Sequence, residues 1–122
     1  MKILVVDDDQ MMLESLIHFL RSEGYETVTA NDGLKALEIA KKQSLDLIIS
    51  DVFMPDFSGL NLLNMLKHFY LYKIPVILIS AYDKREMMQS SLGLGADDFI
   101  SKPINFDELR KSIHDHITGP AN

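Results

Sequence analysis

The chain has 122 residues, 47% apolar and 25% charged, with a formal charge of −6 and no cysteine. These numbers suit one soluble domain with one core and exclude disulfides, thiolate metal sites and a cysteine nucleophile. The basic residues are scattered and the longest apolar runs, such as VILI at 76–79, are short, so neither direct nucleic-acid binding nor a membrane span is expected.

The first apolar run, ILVV at 3–6, stops at Asp7, Asp8 and Asp9. Two readings of these acids stand side by side. In one, a strand reaches water and an Asp caps the next helix. In the other, Asp7 and Asp8 are held together to bind a cation, since clustered carboxylates raise one another's pKa unless positive charge relieves them. The run also meets charge too soon for a signal peptide, which points to a cytoplasmic protein. A helix-period stretch at 10–22 follows, then a strand, ETVTA, at 26–30 and a second helix at 33–42. The third strand, LIIS at 47–50, runs into Asp51, and a turn with Pro55 and Gly59 leads to a helix at 59–69. VILIS at 76–80 is the fourth strand, and Asp83 with Glu86 marks the start of a fourth helix at 84–92. DDFIS at 97–101 is the fifth strand, with Lys102 and Pro103 behind it. The last helix, 105–117, is the clearest: Phe106, Leu109, Ile113 and Ile117 share a face, and Asn105 with Glu108 makes a capping pair.

Five strands alternating with five helices predict right-handed βαβ units: an α/β, doubly wound, five-stranded parallel sheet with helices on both faces. ILVV, LIIS and VILIS are continuously apolar, as interior parallel strands should be, whereas ETVTA and DDFIS suit the edges. The order 2-1-3-4-5 satisfies that assignment. Such sheets bind ligands beyond the carboxyl ends of strands 1 and 3, where the winding direction reverses.

Asp7, Asp8 and Asp51 are thereby expected in one crevice, with Ser80 at the end of strand 4 and Lys102 at the end of strand 5. Three crowded carboxylates need a cation, and Mg²⁺ prefers oxygen ligands of this kind. Asp51 is then a candidate nucleophile forming an aspartyl phosphate. Lys102 and the metal are placed to neutralise phosphoryl oxygens, and Ser80 to donate a hydrogen bond. The methionines at 11, 12, 54, 65, 87 and 88 read mostly as core filler, with Met87 and Met88 also candidates for a partner contact. His18, His68, His114 and His116 show no ligand spacing.

The segments ILVVDDD, DVFMPDFSGL, VILISAY and GADDFISKPI resemble the receiver domain of two-component response regulators, in order and over nearly the whole chain. The resemblance implies a flavodoxin-like fold with the same 2-1-3-4-5 order, and a phosphoprotein switch of phosphorelay signal transduction. It makes Asp51 the phosphoacceptor and Asp8 a direct Mg²⁺ ligand. Asp7 holds the ion largely through water, the backbone carbonyl of Phe53 adds a ligand, and Mn²⁺ is a substitute. Lys102 pairs with the phosphoryl group, Ser80 is the switch hydroxyl, and Phe99 sits at the switch-aromatic position, where core packing is its other reading. Phe53 and Tyr82 flank the route of the hydrolytic water. The implied donor is a sensor histidine kinase or histidine phosphotransfer protein. The implied output face, for an effector or a homodimer, combines the fourth helix, fifth strand and fifth helix.

A competing enzyme class is a Mg²⁺-dependent phosphohydrolase working through an aspartyl phosphate. It usually needs a second acid near the nucleophile, and Val52 and Phe53 supply none. A pseudo-receiver scaffold would not need the complete acid, hydroxyl and lysine set. The receiver is expected over residues 1–118, opening its parent chain at Met1, with 119–122 a tail or the start of a linker.

Overall fold

A computed structural model describes residues 1–54, 57–69, 73–81 and 95–117 of the chain. Five strands, β1 (Lys2–Val6), β2 (Glu26–Ala30), β3 (Leu47–Asp51), β4 (Val76–Ser80) and β5 (Asp98–Ser101), form one parallel sheet in the order β2-β1-β3-β4-β5. β3 and β4 are buried along their whole length, while β2 and β5 at the edges keep polar, partly exposed residues. The continuously apolar strands β1, β3 and β4 are therefore the interior ones. Asp51 closes β3 instead of following it, a shift of one residue from the expected boundary.

Alternating side chains divide the core between the two faces of the sheet. Leu4, Val6, Ile48 and Leu78 join α2 (Gly33–Lys42) and α3 (Gly59–Asn64) on one side. Ile3, Val5, Ile49, Ile77 and Ile100 join α1 (Gln10–Ser22) and α4 (Phe106–Ile117) on the other. Each fully buried Leu or Ile contributes about 1.5–3 kcal/mol relative to exposure. The expected face of the last helix is the one that packs: Leu109 and Ile113 are buried, with Phe106 and Ile117 against the same cluster.

Helix starts follow the side chains that can satisfy free N–H groups. Asp9 Oδ1 accepts from the amides of Met11 (3.0 Å) and Met12 (3.3 Å), so this acid caps α1. Asp32 accepts from Lys35 N at 2.8 Å, and Asn105 Oδ1 accepts from the amides of Asp107 and Glu108.

Two expectations need correction. The α-helix expected over 59–69 gives way to π geometry at Met65–Phe69, where Lys67 Nζ donates to the Ile74 carbonyl and lies 3.6 Å from Asp97. Met11 is 79% exposed and is not core filler, because the buried stripe of α1 runs through Leu13, Leu16 and Leu20. The helix expected at 84–92, Tyr82, the Asp83–Glu86 start signal, Met87, Met88 and the tail at 119–122 lie outside the described residues. No helix among the described residues is long and apolar enough to cross a membrane.

Candidate functional site

Register sets the site. Val6 pairs with Ala30 and Ser50, Asp51 with Ile79, and Ser80 with Ser101. The residues that end or follow β1, β3, β4 and β5 consequently emerge along one edge of the sheet. Lys102 N donates to the Ser80 carbonyl at 2.7 Å, which brings the residue after β5 alongside the end of β4.

The fold brings Asp7, Asp8 and Asp51 together, with one carboxylate oxygen from each within 4.8 Å of the others. Asp7 and Asp51 are buried, whereas Asp8 is exposed. Lys102 bridges the two buried acids, with Nζ 3.5 Å from Asp7 Oδ2 and 3.3 Å from Asp51 Oδ1. Asp7 also accepts from the Asp9 amide at 2.9 Å. Ser80 is fully buried at the end of β4.

The electrostatics match this crowding. Burial first and the Asp7 charge second, opposed by Lys102, leave the Asp51 carboxyl raised from 3.8 to about 6. Asp7 is likewise raised, chiefly by burial, against the pull of the Asp9 amide and Lys102. Burial disfavours the Lys102 ammonium, yet Asp51 and Asp7 outweigh it and leave its pKa above the ordinary 10.5. Among the described residues, three carboxylates share one ammonium, so the donor set is all oxygen and short of positive charge. That chemistry fits a hard divalent cation such as Mg²⁺.

The remaining expected residues are more dispersed. Phe53 stands two residues beyond Asp51 and is 46% exposed. Phe99 is 1% exposed and packed in the core cluster that includes Val76, Leu78 and Ala96. In the sequence Gly59 reads as a turn residue only. Its backbone in fact lies so close to β3 that a Cβ there would collide with the Asp51 carbonyl oxygen. A glycine eight residues past a strand-end acid is the one signal that pointed there.

The response regulator receiver domain profile matches residues 3–114. The response regulator GtcR of Aneurinibacillus migulanus is 42% identical over 84% of this chain and 42% of its own length. The sporulation initiation phosphotransferase F of Bacillus subtilis is 35% identical over 99% of this chain and 97% of its own. The chain spans less than half the length of several curated relatives, GtcR among them. Among solved structures, the chemotaxis protein CheY4 of Vibrio cholerae superposes with a TM-score of 0.87 at 34% identity, covering 94% of this chain and 97% of that one. With its sheet order, its acid cluster and its sequence all in agreement, the chain belongs to the response regulator receiver domain family, a family of signalling domains.

Proposed function

We propose that the chain is a phosphoacceptor switch that takes a phosphoryl group on Asp51 from the phosphohistidine of a sensor kinase or phosphotransfer protein. An Asp51 oxygen attacks phosphorus, the P–N bond breaks, and the imidazole leaves as the new acyl phosphate forms. Lys102, already 3.3 Å from Asp51, follows the charge onto the phosphoryl oxygens. Ser80 donates a hydrogen bond from its hydroxyl to one of those oxygens. Asp7, Asp8, Asp51 and the Phe53 carbonyl would hold Mg²⁺, with Mn²⁺ as a substitute. The ion supplies positive charge against the developing negative charge of the transfer.

The observation that carries this reading is the Asp7–Asp8–Asp51 cluster bridged by Lys102 at one edge of the sheet. The chain then catalyses only its own phosphorylation and dephosphorylation, in the cytoplasm. Its output is a population shift on a face that includes β5 and α4, where an effector or a second copy binds. Ser80 moves in that shift, and Phe99 repacks from the buried position it holds here.

Incubation with acetyl phosphate and Mg²⁺, followed by intact mass, tests the reading. The wild type should gain one phosphoryl group and Asp51→Asn none, since an amide cannot form the acyl phosphate. An undiminished adduct in Asp51→Asn would move the acceptor elsewhere. Steady phosphate release from an ester substrate would favour the phosphohydrolase.

A further inference from the structure

The chain from Asp51 to Gly59 carries two of the groups assigned above, the Asp51 carboxylate and the Phe53 carbonyl. It is pinned near both ends. Val52 N donates to the Ile79 carbonyl at 2.9 Å, and Gly59 N donates back to the Val52 carbonyl at 2.8 Å. A third contact comes from a different element. Gly33, the buried first residue of α2, lies directly against Phe57. A Cβ at Gly33 would sit 2.5 Å from Phe57 Cδ1 and 2.6 Å from the Phe57 carbonyl oxygen, where real Cβ atoms essentially never come within 3.0 Å.

The backbone at Gly33 does not itself call for glycine, because its φ is outside the left-handed region. Helix propensity alone would favour alanine there. What glycine provides is room. The Phe57 ring packs against the core that holds Leu62 and Leu63, and its carbonyl rests on the start of α2. A side chain at position 33 must displace that backbone, and α2 is poorly free to yield because Ala36, Leu37 and Ala40 are buried.

We propose that Gly33 is a positioning residue for the phosphoryl-accepting site: its missing side chain seats Phe57 on α2 and so steadies the described residues next to it, Phe57–Gly59, which Gly59 N ties back to Val52, the neighbour of Asp51 and Phe53. The proposal rests on the reading of Asp51 as phosphoacceptor and of the Phe53 carbonyl as a Mg²⁺ ligand. Phe53 lies between the pinned ends and Asp51 within the sheet, so metal binding should suffer more than the nucleophile.

Three variants of the full chain decide it: Gly33→Ala, Phe57→Ala and Gly24→Ala. Gly33→Ala should still melt cooperatively, bind Mg²⁺ about tenfold more weakly by calorimetric titration, and shift the amide resonances of residues 51–54. With acetyl phosphate, the Mg²⁺ concentration for half-maximal phosphorylation should rise by a similar factor, and the rate at saturating Mg²⁺ should fall less. Phe57→Ala alters the contact from its other side and should weaken Mg²⁺ binding too, which keeps the test alive if Gly33→Ala fails to fold. Gly24→Ala strains a residue at φ +90° with nothing within 4 Å. It should lower the melting temperature and leave Mg²⁺ affinity unchanged. Wild-type affinity with unmoved 51–54 resonances in both Gly33→Ala and Phe57→Ala would overturn the proposal. So would an equal loss of affinity in folded Gly24→Ala. If the wild type takes up no phosphoryl group, the reading of Asp51 fails, while the amide shifts still judge Gly33.

Discussion

Aspartates stand at both ends of the sheet, and their surroundings differ. At the amino ends, Asp46 Oδ2 accepts from Lys2 N at 2.7 Å, and Asp97 Oδ2 accepts from Val76 N at 2.8 Å with Lys67 nearby. At the carboxyl ends, Asp7, Asp8 and Asp51 crowd one another around Lys102. Parallel strands present N–H groups where they begin and carbonyl oxygens where they end. A carboxylate at a strand start completes the ladder. One at a strand end adds negative charge to a rim of oxygens, which is useful only where a cation or an incoming phosphoryl group is to be received. The same residue type is thus structural at one edge and, on the function proposed, chemical at the other.

The sharpest way to break this contrast is to remove acids one at a time and follow metal affinity. Asp8→Ala should weaken Mg²⁺ binding roughly a hundredfold, as the loss of a direct ligand. Asp9→Ala, beside it in sequence, should leave the affinity nearly intact and cost about 1 kcal/mol of stability through the lost α1 cap. Equal losses in a calorimetric titration would mean the acids do not divide as the geometry suggests.

At the opposite edge the effect should reverse in kind. Asp97→Ala leaves the Val76 amide without its acceptor and should cost about 1–3 kcal/mol of unfolding free energy, with Mg²⁺ affinity unchanged. Urea denaturation and metal titration on the same variant check both halves.

Acidity offers a gentler probe. The folded Asp51 carboxyl sits at about 6 against an ordinary 3.8, so between those values the folded state holds a proton that the unfolded chain releases. Stability in metal-free buffer should therefore fall as pH rises from about 4 to about 6 and then level. Allowing for solvent screening, the Asp51 share is on the order of 1–2 kcal/mol. Asp7, also raised, adds to the same slope. Asp51→Asn should flatten the Asp51 share and be more stable than wild type at pH 8. An unchanged pH slope in that variant would show that ionised Asp51 carries no such strain.

Much of this is legible in the sequence. Continuous apolar runs report burial on both faces, so ILVV, LIIS and VILIS placed three strands in the interior, and the strand-end residues then converged by topology. Asp9 as a cap was readable because a helix start needs an acceptor at that position. What stayed hidden depends on distances between elements. Nothing in a helix-period pattern marks the π geometry at Met65–Phe69. Nothing in a glycine before a leucine shows that Phe57 occupies the missing side chain of Gly33. The double pairing of Lys102 and the full burial of Phe99 are likewise products of packing.

The smallest expected effect concerns how long the acidic edge holds its phosphoryl group. Hydrolysis needs a water in line with the scissile bond, and a side chain beside that route changes the rate by controlling approach and orientation. Phe53, two residues past Asp51, is nearly half exposed, and its apolar ring has no group to hydrogen-bond the water. Tyr82 at the second flanking position lies outside the described residues, so Phe53 is the side chain to test. If its ring hinders the water, the aspartyl phosphate should be long-lived for a receiver. Phe53→Asn, which exchanges bulk for an amide able to orient water, should shorten that lifetime by about threefold or more. Wild type and variant are phosphorylated, the donor is removed, and adduct loss is followed by intact mass with Mg²⁺ present. Equal or slower decay in Phe53→Asn would show that the ring does not guard the water route.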